Sequence, residues 1–341
     1  VYNFETCVWT DIHPSGQAPS QRYGQTCILY DGKLYFFAGA GEYNHEKWKL
    51  DCLQDIKIFD YNEERWIVSP VRGSIPPRRM NHASVLLDKH MVTYGGSSGK
   101  PFGCLNDCFV LQLDTLNWIC PHVIRKSNPG RLSGHSMVTY INPGISSAYL
   151  HDLWRMTSSR YNYEFGNRKL PYGVLMFGGV DEGNFYNNHL YLLKPGVRGR
   201  LETASYTVEI EQLATRGHAP FPRAYHSAVI FQEYMIIYGG RNDKVYSKNY
   251  PTLALDDLCV LNIPKMQWET IALYGLHPLD RYSHCMLVND NQIYLIGGVT
   301  ANRYCKPELY KLDFDPSNTD NFLNEKRSQL QRVAKEEQRC K

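Results

Sequence analysis

Five arginines recur at one place in a repeating pattern: Arg22, Arg79, Arg131, Arg223 and Arg281. A guanidinium presents its N–H donors in a planar fork that pairs bidentately with carboxylates. A ring of such groups around one opening would suit an acidic peptide. The same group can instead pin a loop, by bonding carbonyls or an acid of its own repeat. A histidine follows four of the arginines: His82, His135, His226 and His284. Spread one to a repeat, these read as hydrogen-bonded strand residues rather than as ligands of one metal ion. The chain contains no phosphate-binding Gly-rich loop, no Gly-x-Ser-x-Gly and no His-Glu-x-x-His. The chemistry on offer is recognition rather than catalysis, and no cofactor is expected.

The elements that hold these residues follow from spacing. Four of the arginines stand 16 positions before a pair of small residues: Ala38-Gly39, Gly95-Gly96, Gly239-Gly240 and Gly297-Gly298. Arg131 leads to Gly178-Gly179 after a longer interval. An acid comes next (Asp55, Asp107, Asp257 or Glu308), and Trp9, Trp66, Trp118 and Trp268 each lie 13 positions before the next arginine. Between arginine and glycines run two apolar, β-branched stretches, such as Ser84–Leu87 with Met91–Tyr94 and Ala228–Phe231 with Met235–Tyr238, joined by short polar turns. A third strand follows, as in Asp107–Asp114, and a fourth carries the tryptophan. The glycines end the second strand, where a Cβ would collide or force the wrong φ. One unit is a four-stranded antiparallel blade that cannot bury both faces alone, so the blades must stack in a ring. The tryptophans 9, 66, 118 and 268 are expected between blades.

A repeat of roughly 50 residues with glycines and an aromatic at fixed offsets is a propeller signature. From about residue 1 to residue 315 the chain resembles the kelch-repeat β-propellers. Ala38 for a glycine, Gln25 for the histidine, Ile210 for a tryptophan and Glu308 for an aspartate are its departures. The resemblance implies an all-β fold and a protein-binding role, and in relatives that capture peptides the arginines at this loop face the pocket. The ends bear on blade number. Tyr2-Asn3-Phe4 matches Phe59-Asp60-Tyr61, so the chain opens inside a third strand, and Thr319 stands where the last tryptophan is due. The reading preferred here is six blades, the first incomplete, with Val1 not the biological start; closure of five blades by the Trp9 strand is the alternative.

Two insertions, 141–170 and 194–206, fall in one blade and leave it on the same face. Their aromatics Trp154, Tyr161, Tyr163 and Phe165 are candidate partner anchors. On the opposite face the loops 42–54 and 241–256 bring Trp48, Tyr246 and Tyr250 near the arginines, a lining suited to an extended acidic or aromatic segment. Residues 316–341 are polar, lack glycine beyond Pro316, and are expected to be helical.

Composition narrows the function classes. A net charge of +3 over 341 residues does not suggest nucleic acid as a partner, and no apolar run is long enough to span a bilayer. Ten cysteines without a Cys-x-x-Cys pair, and no Asn-x-Ser/Thr acceptor, favour a reducing, cytoplasmic setting. The leading expectation is a non-enzymatic scaffold or adaptor binding other proteins, with cytoskeletal or ciliary assemblies as candidate settings. The alternative is a substrate receptor of a cullin–RING ubiquitin ligase, although no recruiting element is legible. A copper-radical oxidase, the chemistry of one kelch-like branch, is the remote third.

Overall fold

The alternation of apolar residues in each repeat builds short antiparallel strands whose two faces are both buried against neighbours. The computed structural model describes residues 1–44, 49–99, 103–141, 164–165, 168–169, 173–198, 205–244, 254–271, 275, 277–290, 292–302 and 308–313. Blade one comprises Thr26–Tyr30, Lys33–Phe37, Ile56–Asp60 and Arg65–Ile67. Blade two comprises Ala83–Leu87, His90–Tyr94, Cys108–Gln112 and Asn117–Ile119. Blade three comprises Ser136–Tyr140, Gly173–Phe177, Leu190–Arg198 and Ser205–Leu213, and blade four Ser227–Phe231, Tyr234–Tyr238, Leu258–Asn262 and Gln267–Glu269. Blade five has three described strands: Cys285–Asn289, Gln292–Ile296 and Leu309–Asp313. No helix occurs among the described residues.

The innermost strands touch in chain order, blade one to blade five. Four apolar clusters fill the seams between them. The first joins Ile28, Tyr35 and Phe37 of blade one to Met91, Leu111 and Trp118 of blade two. Equivalent clusters bind blade two to three, three to four, and four to five. No contact of that strength joins the first strand of blade five back to that of blade one. Beside this opening a small hairpin, Tyr2–Asn3 with Val8–Trp9, rests Phe4 on Tyr294 of blade five, ring centroids 4.6 Å apart. Its register, Tyr2 opposite Trp9, repeats that of Phe59 opposite Trp66, Leu111 opposite Trp118 and Leu261 opposite Trp268. The hairpin is thus an outer strand pair like those of the blades.

Two sequence expectations change. Trp118 and Trp268 are buried and Trp66 is half-buried, but Trp9 is 59% exposed, its hairpin resting on blade five through Phe4. The Trp9 strand pairs with Tyr2–Asn3, as third strand with fourth, and not with blade five, as the five-blade alternative required. Blades two and three carry a fifth strand: Arg72–Gly73 runs parallel to Asn117–Trp118, and His122–Arg125 parallel to Thr207–Ile210. Single bridges Ser15–Arg65 and Arg216–Gln267 do the same for blades one and four. The connecting segment of one blade thereby clasps the edge of the next.

In blade three the third and fourth strands extend as a two-stranded ribbon to the pair Arg198–Ser205, past the last pairing with the second strand at Val174–Leu193. Antiparallel order sends this ribbon and the connection after Tyr140 off the same edge of the blade. Most of 141–170, with Trp154, Tyr161 and Tyr163, lies outside the described residues, as does the tail from 314; of Phe165 only the backbone, a short strand Glu164–Phe165, is described.

Candidate functional site

The loops at one end of the disc hold the recurrent polar residues. Arg79, Arg223 and Arg281 are 0% exposed. Arg79 donates from Nε to the Pro77 carbonyl, from one terminal nitrogen to the Gly95 carbonyl and to Asp107 (2.8 Å), and from the other to Asp107 (2.9 Å). Arg223 repeats the set with Phe221, Gly239 and Asp257. Arg22 does so with Ser20, Ala38 and Asp55. Arg281 does so with Leu279, Gly297 and Glu308, the longer acid reaching it with one oxygen at 3.2 Å. Burial alone would raise the Asp257 carboxyl, but the bonds from Arg223 outweigh it and hold that carboxyl below its ordinary range. These four guanidiniums face inward and tie the glycine turn to the repeat's acid. They do not line an open mouth.

Blade three departs from this scheme. The backbone place of Arg79, which accepts from Gly39 and donates to Leu53, belongs in blade three to Leu132, which accepts from Gly96 and donates to Leu105. Leu132 is buried, and His189 takes the place of the acid, accepting from Gly178 as Asp107 accepts from Gly95. The signal was legible: the histidine stands three positions after the arginine in the other repeats, but His135 stands three after Leu132. Arg131 is displaced to the surface, 54% exposed at its side chain, with Glu182 3.4 Å away.

The histidines are seam residues. Each ring lies against the preceding blade: His82 on Phe37, His135 on Tyr94, His226 on Phe177 and His284 on Tyr238, at centroid distances of 5.0–5.7 Å. His82 Nε2 also meets Thr26 Oγ1, and His226 Nε2 meets Ser136 Oγ, both at 2.8 Å. Burial pushes all four well below the ordinary histidine range, His135 to about 4 and His284 to about 3. They are neutral spacers at neutral pH. Among the described residues no group of three or more His, Cys, Asp or Glu is placed to hold a metal ion.

One feature of this face had no sequence signal. The residue before each histidine (before Gln25 in blade one) has left-handed φ: Gly24 (64°), Asn81 (52°), Gly134 (66°), Tyr225 (60°) and Ser283 (54°). Each passes its N–H to the carbonyl of its predecessor in the preceding blade: Asn81 to Gly24, Gly134 to Asn81, Tyr225 to Gly134 and Ser283 to Tyr225, at 2.7–2.8 Å. The inner rim of the loop face is therefore a rigid backbone arc.

On that arc, over blades three to five, aromatic and cationic side chains meet. Lys244 Nζ sits 3.6 Å from the Phe185 ring centroid, and Phe185 is 64% exposed. The Arg241 guanidinium lies 5.3 Å from the centroid of Tyr282 and is held there by Asp243. Burial first, and then the Asp243 carboxylate, push the Tyr186 hydroxyl up to about 12, so it stays a neutral donor. Tyr225 lies over Gly134, its hydroxyl raised by burial against the lowering pull of Ser133 and Arg241. Phe221 and Leu279, on the loops that enter blades four and five, are exposed on the same side. Trp48, Tyr246 and Tyr250 lie outside the described residues. The sequence reading passed over Phe185, Lys244, Arg241 and Tyr282 because nothing repeats at their positions.

Comparison with known proteins agrees with the fold. The profile of the KLHDC2/KLHL20/DRC7 Kelch-repeats domain matches residues 1–146 and 155–334. Kelch domain-containing protein 3 of Homo sapiens, like that of Rattus norvegicus, is 23% identical over 335 residues, covering 93% of this chain and 76% of the relative. Host cell factor 1 of Homo sapiens is 24% identical over 298 residues, covering 83% of this chain but 12% of that protein. The solved structure titled "Structure of YjhT" aligns with a TM-score of 0.59 at 15% identity, over 86% of this chain and 82% of that one, a likeness of fold.

Proposed function

The chain belongs to the kelch-repeat β-propeller family, and from that membership we propose that it is a non-enzymatic interaction module, a scaffold or adaptor that binds another protein on the loop face of blades three to five. The observation that carries this is the patch of Phe185–Lys244 and Arg241–Tyr282, mounted on the hydrogen-bonded rim. Aromatic and arginine side chains on a preorganised frame are the usual anchors of protein interfaces. The partner segment that suits it is extended and acidic or aromatic: carboxylates would find Lys244 and the surface-directed Arg131, and rings would find Phe185, Phe221 and Tyr282. Arg22, Arg79, Arg223 and Arg281 serve by fixing the loops, and Arg131 is the member of the five that reaches a ligand. The setting is cytoplasmic, in a cytoskeletal or ciliary assembly.

Affinity purification of the full chain from cells, wild type beside Lys244→Glu with Phe185→Ala, tests this. The expected result is one partner lost by the double variant while the propeller melts normally. Recovery of cullin–RING subunits with the wild type, rather than tubulin or actin assemblies, would favour the ubiquitin-ligase receptor over the scaffold, with the same face as its substrate surface.

A further inference from the structure

The turn that carries Phe185 also carries an acid. One carboxylate oxygen of Asp181 accepts the N–H groups of Gly183 and Phe185, both at 2.8 Å, and Asn184 takes a left-handed φ of 57°. The backbone closes the turn again, with the Asp181 N–H donating to the Phe185 carbonyl at 3.1 Å. This turn sets Phe185 against Lys244, and it sets Glu182 against Arg131 at 3.4 Å.

Both ends of that ion pair stand on fixed backbone. Ser133 and Val180 exchange two N–H···O bonds of 2.9 Å, two residues after Arg131 and two before Glu182. The side chains themselves are loosely held: they meet through one arginine nitrogen, and are 54% and 41% exposed. Attraction in an exposed pair of this kind is small and screened by salt. Nor does the pair belong to the frame that the repeats share. Arg78 holds the place of Arg131 in blade two, each standing three residues before its rim residue, Asn81 or Gly134. Gly99 stands there where blade three has Glu182, three residues after the glycine pair, and Arg78 donates to the Cys52 carbonyl instead, at 3.0 Å.

We propose that Glu182 is a specificity-determining residue of the loop-face site, an internal competitor that occupies Arg131 as a partner's carboxylate would. The proposal rests on the reading of that face as the partner site. A neutral segment leaves the pair in place and gains nothing from Arg131. An acidic segment must displace Glu182, so its attraction to the guanidinium is partly offset by the pair it breaks. The exchange needs only a side-chain rotation, because Asp181 holds the turn. Phe185 therefore stays on Lys244 while Arg131 changes partners. Glu182 thus holds down the affinity for acidic segments and leaves the aromatic contacts untouched.

Fluorescence anisotropy on the full chain tests this, with a labelled peptide of alternating Glu and Tyr beside one of alternating Gln and Tyr as probes. Glu182→Gln should bind the Glu-Tyr peptide about two- to fivefold more tightly than wild type, and the Gln-Tyr peptide equally. In an Arg131→Ala background the same substitution should lose most of that gain. Glu63→Gln, which removes the acid of an exposed pair with Arg65 on the opposite face, should give none. A gain for both peptides, a gain undiminished by Arg131→Ala, an equal gain from Glu63→Gln, or no gain at all would overturn the proposal. The partner-site reading fails separately, if Phe185→Ala/Lys244→Glu binds the Glu-Tyr peptide as wild type does.

Discussion

At the scale of single residues, what separates structural from recognition arginines is whether the guanidinium already has its partners. Arg223 is fully buried, and Asp257 is held ionised by it. Arg223→Ala would strand that carboxylate, so chemical denaturation should show a loss of about 3 kcal/mol. Arg131→Ala removes only an exposed, loosely paired charge and should stay within about 0.5 kcal/mol of wild type. Equal losses in both variants would erase the distinction. The arginine repeat was legible in the sequence, but the exact member in blade three was not taken from the histidine spacing, which pointed to Leu132. Both glycines of the pair are confined. Blade one places Ala38 at the first position at φ 57°, but in blade two a Cβ on Gly95 would meet the Leu132 carbonyl oxygen at 2.6 Å. At the second position a Cβ on Gly96 would meet the Met80 carbonyl at 2.7 Å and the His82 Cβ at 2.8 Å, at φ 97°. Gly95→Ala and Gly96→Ala should therefore each destabilise by about 2–3 kcal/mol, read by urea melts.

At the scale of elements, the strands of each blade were written in apolar alternation and turn residues, whereas the parallel clasp between blades was not. Two-residue contacts such as Arg72–Gly73 with Asn117–Trp118 are too short to leave a periodic pattern, and only a glycine ahead of each clasped edge hints at them. The seams themselves carry a pH dependence. The folded pKa values of His82, His135, His226 and His284 lie below the ordinary 6.5, through burial. As pH falls below about 6.5 the unfolded chain takes up protons first, so stability is full above that value and drains on acidification toward the folded values near 4 and 3. Tm should be level from pH 8 to 7 and decline steadily from pH 6.5 to 4. Replacing His284 with Gln, the residue blade one uses at this place, should flatten part of that decline. A Tm independent of pH across this window would show that the rings are not the buried spacers described.

At the scale of the whole molecule, the five described blades are joined in chain order through four apolar seams. Blade number was the least legible feature, because it depends on how terminal strands pair and not on the repeat. Hydrogen exchange should find the inner strands of blades two to four, each packed between described neighbours, more protected than the outer strands of the same blades. Equal protection of inner and outer strands would contradict the seam packing. The loop face of blades three to five was likewise invisible to repeat analysis, since Phe185, Lys244, Arg241 and Tyr282 stand where the repeats differ. It is on those differences, set on a frame fixed by what the repeats share, that the proposed function rests. The most direct measurement is cross-linking mass spectrometry of the full chain with its partner bound. Cross-links should concentrate at Lys244 and its neighbours on the loop face, and vanish with Phe185→Ala/Lys244→Glu while Tm is unchanged. Cross-links confined to the opposite face or the outer edge, surviving in that variant, would contradict the account.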